Sequence, residues 1–459
     1  MRPTALEITR QVRTGEVTAR ALAEAALADI EARGPGLGAF TCVTVERALA
    51  DAARVDAAVA AGRDPGPLAG VPYAVKDLFD IAGISTKAGS KIHAARPPAS
   101  RDAAAIRRLG EAGAVLLGAL NMEEYAYGFY TDNSHHGRTR NPHDPERTAG
   151  GSSGGSGAAV AAGLVSFALG SDTNGSIRVP ASFCGIFGLK PTYGRVSRSG
   201  SMLFVSSLDH IGPLARNVAD LAAVYDVLQG PDPDDPVSST RPPDPVSERL
   251  RTGTEGLRIA VAGGYFARIL TQESRAAVAS AAEHLGAVDE VEIAQAEVAR
   301  AAAYVITSVE AARERHAELR ERIDDFDPNT RSRFLAGALL PADWYVKAQQ
   351  FRRWYAERLA ELFRTWDVVL APAVPMPAPR FSDETVTIDG REQAVRPLIG
   401  RFVQALAPAG LPIAVVPMSR GADLPIGVQL IGAAFREEDV LRAAGVLERG
   451  SANSERSER

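Results

Sequence analysis

Eight consecutive residues, Gly150 to Gly157, are only glycine or serine, and the chain then runs into the apolar segment AAVAAGLVSFALG. Such a run is either a solvated flexible linker or a backbone packed too closely for side chains. A linker continues into polar sequence; this one continues into core-like sequence, so close packing is the better reading. A phosphate loop of the P-loop type needs a lysine directly after its glycines, and none lies between Lys91 and Lys190. The serine-hydrolase elbow G-x-S-x-G matches twice, centred on Ser152 and on Ser153. An elbow, however, follows an apolar strand, whereas RTRNPHDPERTA is polar and broken by proline. Of the later histidines, His210, His284 and His316, none sits in a loop pattern that marks a catalytic base. The elbow stands as a rival reading.

A serine can also be activated by a lysine whose pKa is lowered by burial. Of 51 basic residues only five are lysines: Lys76, Lys87, Lys91, Lys190 and Lys347. Arginine cannot lose its proton at neutral pH, so the retained lysines are where a neutral amine is to be sought. Lys76, between VPYAV and LF, has the most apolar surroundings. The competing reading is a lysine leaning out of a strand end to pair with Asp77.

Along the chain, the first 60 residues read as helices: Thr18 caps ARALAEAALADIEAR with Gly34 as its stop, and VERALADAARVDAAVAAG ends at Gly62. GVPYAVKDLFDIAG is a short strand delivering Lys76 at its end, SRDAAAIRRLGEAG a helix and AVLLGAL a buried strand. Strands and helices that alternate in this way predict an α/β fold. GPDPDDPVSSTRPPDPV, from Gly230 to Val246, is a loop that separates two halves of the chain. Beyond it lie a strand in GLRIAVAGGYF, helices in ESRAAVASAAEHLG and ADWYVKAQQFRRWYAERLAELFRTW, and buried strands in DVVLAPAVPMPAP and GLPIAVVP. Residues 1–60 are expected to pack on a domain over 61–450 with a loop insertion near 230–250, and 451–459 to be a disordered tail.

A net charge of −5 argues against nucleic acid or an anionic membrane as a partner. The longest apolar stretch, Ala158 to Gly170, is too short to span a bilayer. Two unrelated cysteines, Cys42 and Cys184, make neither a disulfide framework nor a metal cluster. The expectation is a cytoplasmic protein without metal or cofactor.

GGSSGGSGAAVAAGLVSFALGSDTNGSIRVPASFCGIFGLKPT, Gly150 to Thr192, resembles the signature of the amidase signature family. GVPYAVKDLFDIAGISTKAGS, LGALNMEEYAYG, DHIGPLARNVADLA and DLPIGVQLIG resemble its other blocks, and the likeness covers nearly all of residues 60–445. The resemblance implies a mixed central β-sheet covered by helices on both faces, and a catalytic set of Ser176 as nucleophile, Ser152 on a cis peptide as bridge, and Lys76 as base. It also implies an oxyanion hole from the amides of Thr173, Asn174, Gly175 and Ser176, with Ser153, Asp172 and Arg178 orienting the set. Much of the family has glycine where this chain has Asn174, whose side chain is expected toward the substrate. GSDTNGSIRVPAS, LAGALLPADWYVKAQQFRRWY and NPHDPERTAGGSSGGS look most similar to the carboxybiuret hydrolase branch. That likeness implies a small amide, ureide or carbamate substrate and either a homodimer or a small accessory subunit. Three alternatives remain: a broad amidase or urethane (carbamate) hydrolase, the glutaminase subunit of an aminoacyl-tRNA amidotransferase, and an inactive scaffold.

Overall fold

Short apolar runs bounded by turns become the strands of one sheet. In the computed structural model, which describes residues 2–418 and 424–457, eleven strands share it. They are β1 (Phe40–Val43), β2 (Pro72–Lys76), β3 (Val115–Leu120), β4 (Phe167–Asp172), β5 (Phe187–Lys190), β6 (His210–Ala215), β7 (Ile259–Ala262), β8 (Asp289–Val291), β9 (Val368–Pro372), β10 (Ile413–Pro417) and β11 (Gly427–Gly432). Their order is β1-β3-β2-β4-β6-β5-β10-β11-β9-β7-β8. The sheet is mixed: β2 lies parallel to β3 and β4, whereas β6 is antiparallel to β4 and β5. Central strands β2, β3, β4 and β6 are buried along their whole length, which is why they read as continuous apolar runs without alternation. Helices cover both faces. The strands on either side of the 230–246 loop join in this one sheet, where β5 pairs with β10.

Two local expectations are corrected. The helix capped by Thr18 runs Ala19–Leu37, past Gly34. Gly34 is helical and packs on Ile30 and Phe40, and the left-handed stop is Gly38, at φ 61°. The first 60 residues also contain strand β1, a four-residue FTCV edge paired antiparallel with β3; β-branched and aromatic residues favour this pleat over the helices on either side. The final helix runs Glu437–Ser457, and residues 458–459 lie outside the described residues. Among the described residues, no helix is long and apolar enough to cross a membrane.

Candidate active site

Parallel strands β2 and β4 end side by side, which brings Lys76 next to Ser171 and Asp172. The Gly/Ser run arrives from the other side and starts the helix Gly154–Ala161. Its glycines answer to space: a Cβ on Gly155 would stand 2.5 Å from the Asn121 carbonyl oxygen. The run is therefore a packed turn. The Gly151–Ser152 peptide is cis, as the resemblance implied.

Lys76 is fully buried, and its Nζ lies 2.6 Å from Ser152 Oγ and 2.9 Å from Ser171 Oγ. Desolvation pushes its pKa down to about 7, against the pull of Asp209, Asp172 and Glu123. Both partners are hydroxyls, able to donate or accept, so a neutral amine is accommodated. Asp77 does not take Lys76 as a partner; it accepts from Thr41 Oγ1 and from the Lys87 N–H. Ser176 lies in the loop after β4 and lines a cavity of about 610 Å³. Its backbone carbonyl accepts from the Ser153 N–H at 3.3 Å, which ties the two serine segments together. No hydrogen bond joins the Ser152 and Ser176 hydroxyls among the described residues.

The loop Thr173–Ile177 is shaped by Asp172. Its carboxylate accepts from the N–H groups of Gly175 (2.7 Å), Ile177 (3.2 Å) and Arg178 (3.4 Å), and from Nε and Nη2 of Arg178, both at 3.0 Å. Burial alone would push the Asp172 carboxyl up, but the Arg178 charge and hydrogen bonds outweigh it and hold the group far below the usual carboxylate range. Arg178 Nη1 continues to the Val403 carbonyl and Gln429 Oε1. Ser153 Oγ bridges to the Ser171 backbone. Of the four amides expected to form the oxyanion hole, the Gly175 N–H is donated to Asp172. The N–H groups of Thr173, Asn174 and Ser176 have no acceptor among the described residues. Gly175 is needed for shape, since at φ 128° a Cβ would meet Val403 Cγ2 at 2.3 Å. Breaking the Asp172–Arg178 pair would leave a buried, unpaired cation. Asp172→Asn is accordingly expected to cost about 3–5 kcal/mol of stability, read as a lowered denaturant midpoint; a loss under about 1 kcal/mol would refute the pair's structural weight.

Behind the loop lies a part of the site that sequence reasoning missed. His210, paired across the sheet with Asp172, places Nδ1 3.0 Å from the Asp172 carbonyl, so Nδ1 carries the proton and Nε2 accepts. Lys190 Nζ lies 3.2 Å from His210 Nε2 and also donates to the carbonyls of Pro191 and Leu411. Burial pushes Lys190 down to about 7, but its three partners can only accept and so favour the ammonium. The two buried lysines are thereby told apart: Lys76 faces hydroxyls, and Lys190 faces obligate acceptors. Asp209 accepts from the Thr173 hydroxyl and from the Phe204 and Val205 amides. Asn174 does border the cavity; its Nδ2 donates to Thr307 Oγ1 at 2.7 Å, leaving Oδ1 without a partner.

Much of the rest of the cavity wall comes from two segments with no motif in the sequence, the helix Ala296–Glu314 and the short helix Val395–Ile399. They bring Arg300 and Arg396, while the helix Pro328–Ala338 brings Arg333. Arg333 Nη1 donates to the Tyr127 carbonyl at 2.8 Å, and Arg300 Nε to Gln404 Oε1 at 3.1 Å. Neither makes an ion pair among the described residues. Arg396 lies 4.2 Å from the Tyr130 ring centre and 3.8 Å from Asp132 Oδ2.

Residues 21–441 match the family model described as Amidase. The AtzE component of 1-carboxybiuret hydrolase from Pseudomonas sp. (strain ADP) is 51% identical over 445 residues, 96% of this chain and 97% of that one. The matching chain of the glutamyl-tRNA(Gln) amidotransferase from Carboxydothermus hydrogenoformans is 40% identical over 476 residues, 97% of each chain. Among solved structures, a chain from the vestigial protein complex of an s-triazine catabolic enzyme superposes with a TM-score of 0.96 at 50% identity, covering 98% of both chains. A bacterial aryl acylamidase of the amidase signature enzymes superposes at 0.90 with 28% identity, covering 99% of this chain and 97% of that one. Full-length likeness in sequence and fold together places the chain in the amidase signature family, as a hydrolase of non-peptide C–N bonds.

Proposed function

We propose that this amidohydrolase cleaves a small carboxylated ureide, with Ser176 as nucleophile, Ser152 as proton relay and Lys76 as base. What carries the substrate reading is the cavity beside Ser176, whose wall holds the guanidinium groups of Arg300, Arg333 and Arg396. Arg300 and Arg333 have no carboxylate partner among the described residues, whereas Arg396 pairs with Asp132; an unpaired guanidinium in a partly desolvated wall favours an anionic ligand. In the chemistry, Ser176 Oγ attacks the carbonyl carbon while its proton passes to Ser152 Oγ and the Ser152 proton passes to neutral Lys76 Nζ. The developing oxyanion takes the free N–H groups of Thr173, Asn174 and Ser176, each such donor being worth about 3–4 kcal/mol. The relay then runs backwards: the leaving nitrogen receives a proton as the C–N bond breaks, and water attacks the acyl-enzyme by the same route. On the likeness to a relative solved as a protein complex, the chain is also read as working beside a small accessory subunit.

The test is a panel of a ureide carboxylate, its uncharged counterpart, glutamine, a simple amide and an aryl carbamate, assayed for ammonia or amine. The carboxylated ureide is expected to lead its uncharged counterpart by about tenfold or more in kcat/KM. Arg333→Gln should erase most of that lead through KM. Preference for glutamine would favour the glutaminase reading, and preference for the aryl carbamate the urethane hydrolase reading.

A further inference from the structure

One buried carboxylate in the cavity has no part in the catalytic scheme. Glu123 is 5% exposed and borders the same cavity as Ser176. Its backbone N–H donates to the Ser152 carbonyl at 3.3 Å, so the residue is joined to the serine run itself. One carboxylate oxygen, Oε1, accepts from the Tyr130 N–H at 3.0 Å. Gly128 leaves room for that arrangement, since a Cβ there would stand 2.3 Å from Oε1. The other oxygen, Oε2, has no hydrogen-bond partner among the described residues. Burial pushes the Glu123 carboxyl up, with the Tyr130 N–H, Arg333 and Arg396 pulling against it, yet neither arginine comes within ion-pairing distance. Opposite charges that share a cavity without touching leave a gap with an acceptor on one side and cationic donors on the other. A carboxylate oxygen that borders a cavity without a protein donor can take one from a ligand there.

We propose that Glu123 determines specificity: its free oxygen accepts a hydrogen bond from a substrate N–H, so that the site selects amides and ureides with unsubstituted nitrogen over esters and N,N-dialkyl amides of the same acid. This deepens the substrate reading above and rests on the cavity being the substrate site. A carboxylated ureide meets both walls at once, with its carboxylate toward the guanidinium groups and its N–H toward Glu123. The Asn174 Oδ1, also buried and unpartnered at this cavity, is a second acceptor for the same kind of donor. An ester puts an oxygen where the N–H would be, and the two acceptor oxygens then face each other without a proton between them. A site built for a hydrogen-bonding group rejects the analogue that lacks it more strongly than an apolar pocket rejects a missing methylene.

The test uses the full chain carrying Ser176→Ala, with and without Glu123→Gln, and measures by calorimetry the binding of two probes, succinamic acid and monomethyl succinate. Glutamine keeps the shape and an oxygen for the Tyr130 N–H, but turns an N–H₂ toward the cavity, so the acceptor becomes a donor. With Glu123 present, the half-amide is expected to bind about 10- to 100-fold tighter than the half-ester; in the chain that also carries Glu123→Gln, the ratio should fall to near one through weaker half-amide binding. An unchanged ratio, or an equal loss for both probes, would overturn the proposal and leave Glu123 a structural residue. Should Glu123→Gln fail to fold, N-methyl and N,N-dimethyl succinamic acids decide the matter against Ser176→Ala alone: affinity must drop as the last N–H is removed, and no drop overturns it. Ammonia release from succinamic acid by the Ser176→Ala chain would instead count against Ser176 as nucleophile, while the affinity ratio still decides the role of Glu123.

Discussion

Ser176→Ala is expected to lower turnover by about 10⁴-fold or more, because the covalent step loses its nucleophile and no other hydroxyl is placed to replace it. Ser152 and Ser171 both lie on the Lys76 amine, and Ser153 Oγ is engaged with the Ser171 backbone. Ser176 is the one serine of the Gly/Ser segments that borders the cavity. Loss of one oxygen from a loop should move stability by less than about 1 kcal/mol. The measurement pairs steady-state rates with covalent labelling by a serine-directed phosphonate, followed by mass spectrometry. Label recovered on Ser152 or Ser153 of the Ser176→Ala chain, with residual turnover, would reassign the nucleophile.

Activity is expected to rise with pH through the region near 7 and then level off. Burial pushes Lys76 down to about 7, so about a tenth of it is neutral near pH 6 and about nine-tenths near pH 8. The neutral form is the one that can take the proton from Ser152. Lys76→Arg should be inactive, with a loss of about 10³-fold or more, since a guanidinium keeps its proton throughout this range. The same shift has a sign for stability. Between the folded value near 7 and the ordinary lysine value near 10.4 the unfolded chain binds more protons, so the native state gains stability as pH rises across that window. Lys76→Met removes the titration, and the difference in unfolding midpoint between the two proteins should shrink by pH 10. A flat rate profile from pH 6 to 8, or an active Lys76→Arg chain, would remove Lys76 as the base.

The Asp172 network separates what local sequence can say from what it cannot. The aspartate and Arg178 stand six positions apart in GSDTNGSIR, close enough in the chain for the resemblance to pair them. That the same carboxylate would also take the Gly175 N–H, and so withdraw one of four expected oxyanion donors, depends on the path of the loop in space. Gly34 makes the same point in a helix. A glycine near the end of an amphipathic run reads as a stop, but Gly34 stays helical beside Ile30 and Phe40 and the stop falls at Gly38.

By itself the sequence determined the strands and helices whose apolar runs and caps are contiguous, the tight packing of Gly150 to Ser156, and the choice of Lys76 among five lysines. These follow from neighbours along the chain, because backbone sterics, capping and the polarity of adjacent residues act over a few positions. Only the tertiary structure decided that Ser171 shares the Lys76 amine, that Lys190 reaches the Leu411 carbonyl 221 positions away, that Arg300, Arg333 and Arg396 line the cavity that Ser176 borders, and that Glu123 borders it too. Burial and partner choice are set by contacts between segments hundreds of residues apart, and a pKa, an ion pair or an unfilled hydrogen bond exists only once those segments have met.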